Sequence, residues 1–331
     1  MKDDRLNPEN LLSFYAQNIT EEMNRKLTEP FSKEEISDAL FQIGPLKAPG
    51  PDGFPARFFQ KNWGILKEDV VRAVKIFFVD GQMQEGVNDT VIVMIPKKSL
   101  AEDMKDFRPI SLCNVVYKVV AKCLVNRLRP LLHDVISEAQ SAFVPGRLIS
   151  DNALIAFESF HSIQKCNREN QNFCALKLDL SKAYDHVDWQ FLDGVMERMG
   201  FCDKWQSWIM ACVTSVQYSV RFNGHLLEPF SPTRGLRQGD PLSPYLFLLV
   251  ADGLSNIIKS NESEGLIQPL KVCRRVPRIS HLLFADDSLL FFKADTEQAS
   301  RIRDVLQMYE SSTGQLINPS KCSMLFSDFC P

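Results

Sequence analysis

The chain has 331 residues, 45% of them hydrophobic, 24% charged and 10% aromatic, with a formal net charge of -3. This profile excludes a disordered, collagen-like or coiled-coil chain and suggests two domains, or one large domain with a subdomain. The longest apolar run, Tyr245 to Ala251, is too short for a membrane span, and the polar start MKDDRLNPEN is neither a signal nor a transit peptide.

Residues 1 to 44 read as helix, with a capping box of Ser32 and Glu35 ahead of Ile36, Leu40 and Ile43. Lys47 to Pro55 (KAPGPDGFP) is a structured turn or loop, too short for a linker. Phe58 to Val79 is helical in pattern, and Thr90 to Pro96 is a buried strand stopped by proline. Ser111 to Ile136 reads as a long helix with Leu112, Val116, Val119 and Cys123 on its apolar side, kinked or divided at Pro130. Phe173 to Leu180 is a strand, and Asp188 caps a helix that Gly200 ends. Asn223-Gly224 joins two strands in a hairpin, and Ser243 to Lys259 is an apolar helix. Ile279 to Phe284 and Ser288 to Phe292 form a second hairpin with Asp286 and Asp287 at its tip. Thr296 caps a helix that ends at Gly314, and Lys321 to Phe326 is a final short strand. Strands and helices mixed in this way, with hairpins, predict an α+β fold.

Charge is uneven along the chain. Lys97 to Arg129 carries eight basic residues against three acidic ones, and Gly265 to Ala285 carries four basic and none acidic. Such faces either steer a polyanion or are simply solvated. The nine cysteines include no C-x-x-C pair, so neither a zinc pattern nor a redox pair is present, and reduced thiols in an intracellular compartment fit best.

Three acids stand where apolar strands end. Asp179 closes one strand, and Asp286 and Asp287 sit between LLF and SLLFF. Aspartate also serves in tight turns, but two adjacent acids without glycine fit a type I′ turn poorly and repel each other. A divalent cation resolves the difficulty, because Mg2+ prefers carboxylate oxygens and shares its shell with substrate phosphates. Two such ions about 4 Å apart can clamp an in-line phosphoryl displacement.

LKLDLSKAYDHVDW, TRGLRQGDPLSPYLF and FADDSLLFF occur in that order and resemble motifs A, B and C of a reverse transcriptase. KAPGPDG, VIVMIPKK and DFRPISL resemble finger motifs of the LINE-type, non-long-terminal-repeat retrotransposon branch, and the wording around EAQSAFVPGRLISDN resembles plant members most. The resemblance runs from Phe31 to Phe326. It implies a right-hand polymerase with fingers and palm, the palm an antiparallel sheet packed on helices. Residues 1–30 would be a helical lead-in, 31–172 the fingers with the first palm elements, and 173–331 the palm with motifs A to D.

The resemblance also implies roles. Asp179, Asp286 and Asp287 match the catalytic acids and ligands of two Mg2+ ions, with Mn2+ as an alternative metal. Tyr184 matches the aromatic that excludes a ribose 2′-OH, and Gln238 and Gly239 match motif B residues at the incoming nucleotide and template. Lys97 and Arg108 match basic positions that hold the triphosphate, with Lys98 an open alternative. Lys321 matches a motif D lysine that protonates the pyrophosphate leaving group, and Asp185 and Asp188 read as helix caps.

The implied partners are an RNA template, a DNA primer and dNTPs, with no membrane and with a nuclear location. No endonuclease region and no thumb fit within the sequence, so a truncated fragment is expected, its missing regions supplied in trans. An apolar C-terminal surface at Met324, Leu325, Phe326 and Phe329 is expected with it. The alternative reading is a catalytically inactive remnant, or a nucleic-acid-binding scaffold that keeps the fold. A nuclease would need neither Tyr184 nor the RQGDP loop, and KAPGPDG and FRPISL point away from a group II intron maturase.

Overall fold

A computed structural model describes residues 7–165, 172–273 and 276–327. The N-terminal region forms three short helices in place of a continuous one: α1 (Pro8–Leu12), α2 (Glu21–Thr28) and α3 (Lys33–Phe41). Thr20 accepts from Met23 N–H to cap α2, and the Ser32–Glu35 capping box opens α3 as expected. Phe58 to Val79 likewise splits at Asn62, into α4 (Ala56–Lys61) and α5 (Trp63–Asp80).

β1 (Asp89–Pro96) pairs antiparallel with β2 (Phe107–Cys113), from Thr90↔Cys113 to Pro96↔Phe107. The helix expected from Ser111 therefore begins later, as α6 (Val115–Leu128). Cross-strand pairing overrides the local three-to-four spacing there. Pro130 sits in a 3-10 turn ahead of α7 (Leu132–Val135). α8 (Ile149–Gln164) follows, then β3 (Phe173–Leu178) and α9 (Trp189–Met199). Asp188 caps α9, its Oδ1 accepting from Phe191 N–H at 2.8 Å, and Gly200 follows at φ 88°. Asp185 is no such cap; it lies in the preceding turn, its N–H bonded to the Lys182 carbonyl at 2.8 Å.

Beyond α10 (Asp203–Thr214), β4 (Gln217–Phe222) and β5 (His225–Leu226) turn through Asn223-Gly224, both at positive φ. α11 (Ser243–Ser263) precedes the hairpin of β6 (His281–Phe284) and β7 (Asp287–Lys293), then α12 (Thr296–Thr313) and β8 (Ser323–Phe326). Asp295, one residue before the expected Thr296, caps α12 by accepting from Gln298 N–H at 2.8 Å.

The chain forms two compact units, each assembled from separated stretches. The first comprises 1–18, 132–199 and 246–331 and holds an antiparallel sheet in the order β6-β7-β3-β8. Helix α8 covers it with Ala156 and Ile163, against Ala175, Leu282 and Phe291. The α1 region packs on α9 and α12, and a glycine permits close approach: a Cβ on Gly194 would lie 2.7 Å from Leu12 Cδ1. At the sheet edge Met324 and Phe326 are each 46% exposed, in line with the expected apolar surface; Phe329 lies outside the described residues.

The second unit comprises 19–131 and 200–245 and holds the sheet β2-β1-β4-β5, with β1 and β4 parallel. Its core stacks Phe31 on Phe78 at 4.0 Å, with Trp208 edge-on to Phe78 at 4.9 Å. The Arg127 guanidinium lies 3.5 Å over the Phe31 ring and donates to the Glu35 carboxylate. Helices with these two sheets make the α+β architecture expected. Among the described residues no helix is long and apolar enough to cross a membrane.

His281 and Asp252 are both buried in the first unit. His281 bonds Ser255 Oγ at 2.5 Å and Ser280 Oγ at 2.9 Å, and burial, with the Lys259 charge, lowers its pKa to about 3. Burial pushes Asp252 up to about 6, against the hydrogen bond it accepts from Ser137 N–H. The two work in opposite directions. Below its ordinary value of about 6.5 His281 gains a proton only on unfolding, so its contribution is present above that pH and is lost as pH falls toward 3. Asp252 carries its proton more readily when folded, which favours the fold as pH falls through about 6. Replacing His281 with Asn should therefore flatten the loss of stability between pH 6.5 and 3 relative to the parent chain. Unfolding midpoints taken across that range check this; parallel profiles would refute it.

Candidate active site

The acids are placed by the sheet of the first unit. β3 and β7 pair from Phe173↔Lys293 to Leu178↔Ser288, so the next step of the register sets Asp179 opposite Asp287. Asp286 precedes it in the two-residue turn Ala285-Asp286, and Asp287 opens β7 where a wider tip is expected. All three stand at one end of one sheet, and Asp286 and Asp287 are exposed.

Among the described residues no three His, Cys, Asp or Glu side chains stand close enough together to hold a metal ion. Like charges this near repel, which opposes gathering them without a countercharge. Asp179 Oδ2 is shielded from solvent and accepts no hydrogen bond among the described residues, with Lys321 Nζ 3.5 Å away as its ion-pair partner. An unbonded, shielded carboxylate oxygen is the kind of donor that a hard cation takes.

Lys321 reaches Asp179 because LINPSKC returns beside it. Ser181 N–H donates to the Leu316 carbonyl at 2.7 Å, and Asn318 N–H donates to that of Asp179 at 2.8 Å. Tyr184 stacks on Phe247 of α11, ring centroids 5.0 Å apart and planes 12° from parallel. Burial, with the nearby Asp286 charge, raises its phenol to about 12, so it stays neutral. Phe247 is a residue that the motif reading passes over, although it closes the quoted LSPYLF.

The second unit carries the basic candidates on the β1–β2 hairpin. Lys97 Nζ donates to the Lys105 carbonyl at 3.0 Å, and Lys98 pairs with Asp106 at 3.0 Å. The Lys98 contact, with backbone N–H groups of Asp103 and Glu102, holds the Asp106 carboxyl down at about 2. Arg108 is exposed opposite Ile95 and has no ion pair among the described residues. Of the four basic residues between Gly265 and Ala285, Arg274 and Arg275 lie outside the described residues.

Gln238 and Gly239 stand on a loop with buried support. The Gln238 carbonyl accepts from Ser111 N–H at 2.9 Å, and Gly239 has φ 107°, a backbone state that side chains rarely adopt. Beside them Arg237 and Asp240 form a buried ion pair at 2.9 Å. Tyr117 donates its hydroxyl to Asp240 Oδ2 at 2.6 Å, and its ring lies 3.9 Å under the Arg237 guanidinium. Arg237 also donates to the Cys212 carbonyl at 2.9 Å and to Asn88 Oδ1. Their signal is present in RQGDP, which holds opposite charges three residues apart.

Removing one partner of such a pair strands the other. Arg237→Met should cost about 3–5 kcal/mol, read as a lowered thermal midpoint, and adding Asp240→Leu should recover part of it. A single variant that melts with the parent chain would refute the role of the pair.

Comparison with known proteins bears on this arrangement. The family model for reverse transcriptase (RNA-dependent DNA polymerase) matches residues 95–328. The chain is 30% identical over 318 residues to the transposon TX1 uncharacterized 149 kDa protein of Xenopus laevis, covering 95% of this chain and 24% of that protein. It is 26% identical to the retrovirus-related Pol polyprotein from type-1 retrotransposable element R2 of Nasonia vitripennis, over 91% of this chain and 27% of that one. It is 28% identical to the corresponding polyprotein from type-2 element R2DM of Drosophila melanogaster, over 83% of this chain and 24% of that one. The chain thus spans about a quarter of the length of these relatives. With the motif order, the sheet that brings the acids to one end and these matches, the chain belongs to the reverse transcriptase family, as a domain of its LINE-type, non-long-terminal-repeat branch.

Proposed function

We propose that this chain transfers a deoxynucleotide from dNTP to the 3′-OH of a DNA primer, directed by an RNA template. The observation that carries the reading is the β3–β7 register, which sets Asp179 across from Asp287 with Asp286 on the adjoining turn. Three carboxylates and the shielded Asp179 oxygen are a donor set suited to Mg2+, with Mn2+ as the substitute. A cation held there supplies positive charge to the reacting phosphate oxygens.

The chain's own side chains divide the remaining work. Arg108, exposed and without an ion pair among the described residues, binds triphosphate oxygens bidentately, with Lys97 as a second charge. Gln238 and Gly239 meet the incoming nucleotide and the template strand. Tyr184, held by its stack on Phe247, fills the space of a 2′-OH. Lys321 Nζ gives a proton to the departing pyrophosphate. In this reading the first unit carries motifs A, C and D as palm, and the hairpin of Lys97 and Arg108 belongs to the fingers.

The alternative is a scaffold that keeps the fold without catalysis. Primer extension on the purified chain with RNA template, DNA primer, dNTPs and Mg2+ separates the two. Extension should occur, and Asp179→Asn or Asp286→Asn should lower it roughly a thousandfold or more, since several kcal/mol of charge stabilisation are lost. An inactive parent chain, or an active Asp286→Asn chain, would overturn the catalytic reading.

Tyr184 acts by volume. Its replacement with Val should raise ribonucleotide incorporation relative to deoxynucleotide by about tenfold or more. An active Tyr184→Val chain that rejects ribonucleotides as strongly as its parent would end that assignment.

A further inference from the structure

The turn that carries Asp286 is strained and supported from one side. Ala285 has φ 55°, in the left-handed region that a residue with a Cβ rarely adopts. Such a conformation persists when its surroundings over-determine it. Gln140 is what meets it. Its side chain is only 1% exposed, and its Oε1 accepts from Ala285 N–H at 2.9 Å. Its Nε2 faces the Ala285 carbonyl at 3.5 Å, so one amide addresses both backbone groups of the strained residue. A second bond, from Ala142 N–H at 3.0 Å, fixes Oε1 itself.

Gln140 is anchored in turn. The segment around it runs parallel along the free edge of β6, with Leu283 N–H donating to the Ala139 carbonyl at 2.8 Å and Ser141 N–H to that of Leu283 at 3.1 Å. Arg147 Nη1 donates to the Gln140 carbonyl at 2.6 Å, and Asn152 Nδ2 to that of Leu283 at 2.9 Å. EAQSAFVPGRLISDN thus brings Gln140, Arg147 and Asn152 to one side of the hairpin.

We propose that Gln140 is a positioning residue for nucleotidyl transfer: its buried amide holds Ala285 in the left-handed state that presents Asp286 and Asp287 to the metal. This rests on the reading of those two acids as ligands. Gln140 touches no substrate. It acts as the outer support of a metal site does, where loss of such a partner typically costs 10–100-fold in affinity or activity.

The test pairs Mn2+ binding, followed by electron paramagnetic resonance, with primer-extension kinetics on the full chain. Gln140→Met keeps the volume and removes both amide contacts. It should raise the Mn2+ concentration for half-saturation about tenfold or more and lower kcat, with the KM for dNTP little changed. Gln140→Asn should fall between this variant and the parent. Adding Ala285→Gly, which relieves the left-handed strain, should restore part of the Mn2+ affinity to Gln140→Met. A folded Gln140→Met chain with parental Mn2+ binding and kcat overturns the proposal. If that variant does not fold, two measurements decide. Parental Mn2+ binding in Gln140→Asn, or an Ala285 amide in the unaltered chain that exchanges hydrogen as fast as an exposed one, overturns it. Asp286→Asn separates the failures. Retained Mn2+ binding and extension there overturn the ligand reading and this inference with it. Their loss there, beside an unaffected Gln140→Met, overturns the role of Gln140 alone.

Discussion

Six antiparallel pairs between β3 and β7 fix where Asp179, Asp286 and Asp287 stand in the first unit. The ladder is apolar along much of its length, with Leu178, Leu290, Phe291 and Phe292 buried, and it ends in carboxylates that cannot follow it into the core. Their position at the strand ends follows from that conflict. The acids stay at the rim of the sheet, held there by pairing that a one-residue slip would destroy. Lys321 shares the rim and offsets part of the charge of Asp179. Tyr184 and Gln140 reach the same end from elsewhere in the first unit, one by stacking and one by hydrogen bonding.

The second unit treats polar groups differently. Arg237, Asp240 and Tyr117 are buried together, with each charge answered by a hydrogen bond or an ion pair. A satisfied buried network rigidifies the loop that it underlies, and that loop bears Gln238 and Gly239. Both units therefore set flexible-looking loop residues on stiff supports. In one the support is a strand ladder with an edge clamp, and in the other a buried ion pair.

Much of this was legible from residue types. Asp179, Asp286 and Asp287 stood out because acids at the ends of apolar strands conflict with burial, and their motif context assigned the family. Asn223-Gly224 gave its turn from two residues that tolerate positive φ. Other features were not legible for physical reasons. β2 contains Leu112 at helical spacing from Val116, and only its pairing with β1 decides for a strand. No side chain caps α8 or α10, so nothing local marks where they begin. Gln140 is separated from Ala285 by 145 positions, and a neutral amide announces nothing until its partner is seen.

The threading of the two units has a consequence for how the chain reaches its fold. β1 finds its parallel partner β4 only once residues 217–220 are made, and β3 finds β8 only once residues 323–326 are made. During synthesis the β1–β2 hairpin emerges early and then presents one unsatisfied edge until more than a hundred further residues have been made. The edge of β3 waits similarly long. Pairings this distant in sequence close slowly, because loop-closure entropy opposes them before any contact compensates. The boundaries between units fall at 18/19, 131/132, 199/200 and 245/246, so no single cut releases either unit as one uninterrupted segment. Nascent chains of this protein should accordingly be most vulnerable to misassociation while those strand edges stand open, and slower translation or chaperone cover through that interval should raise the soluble yield.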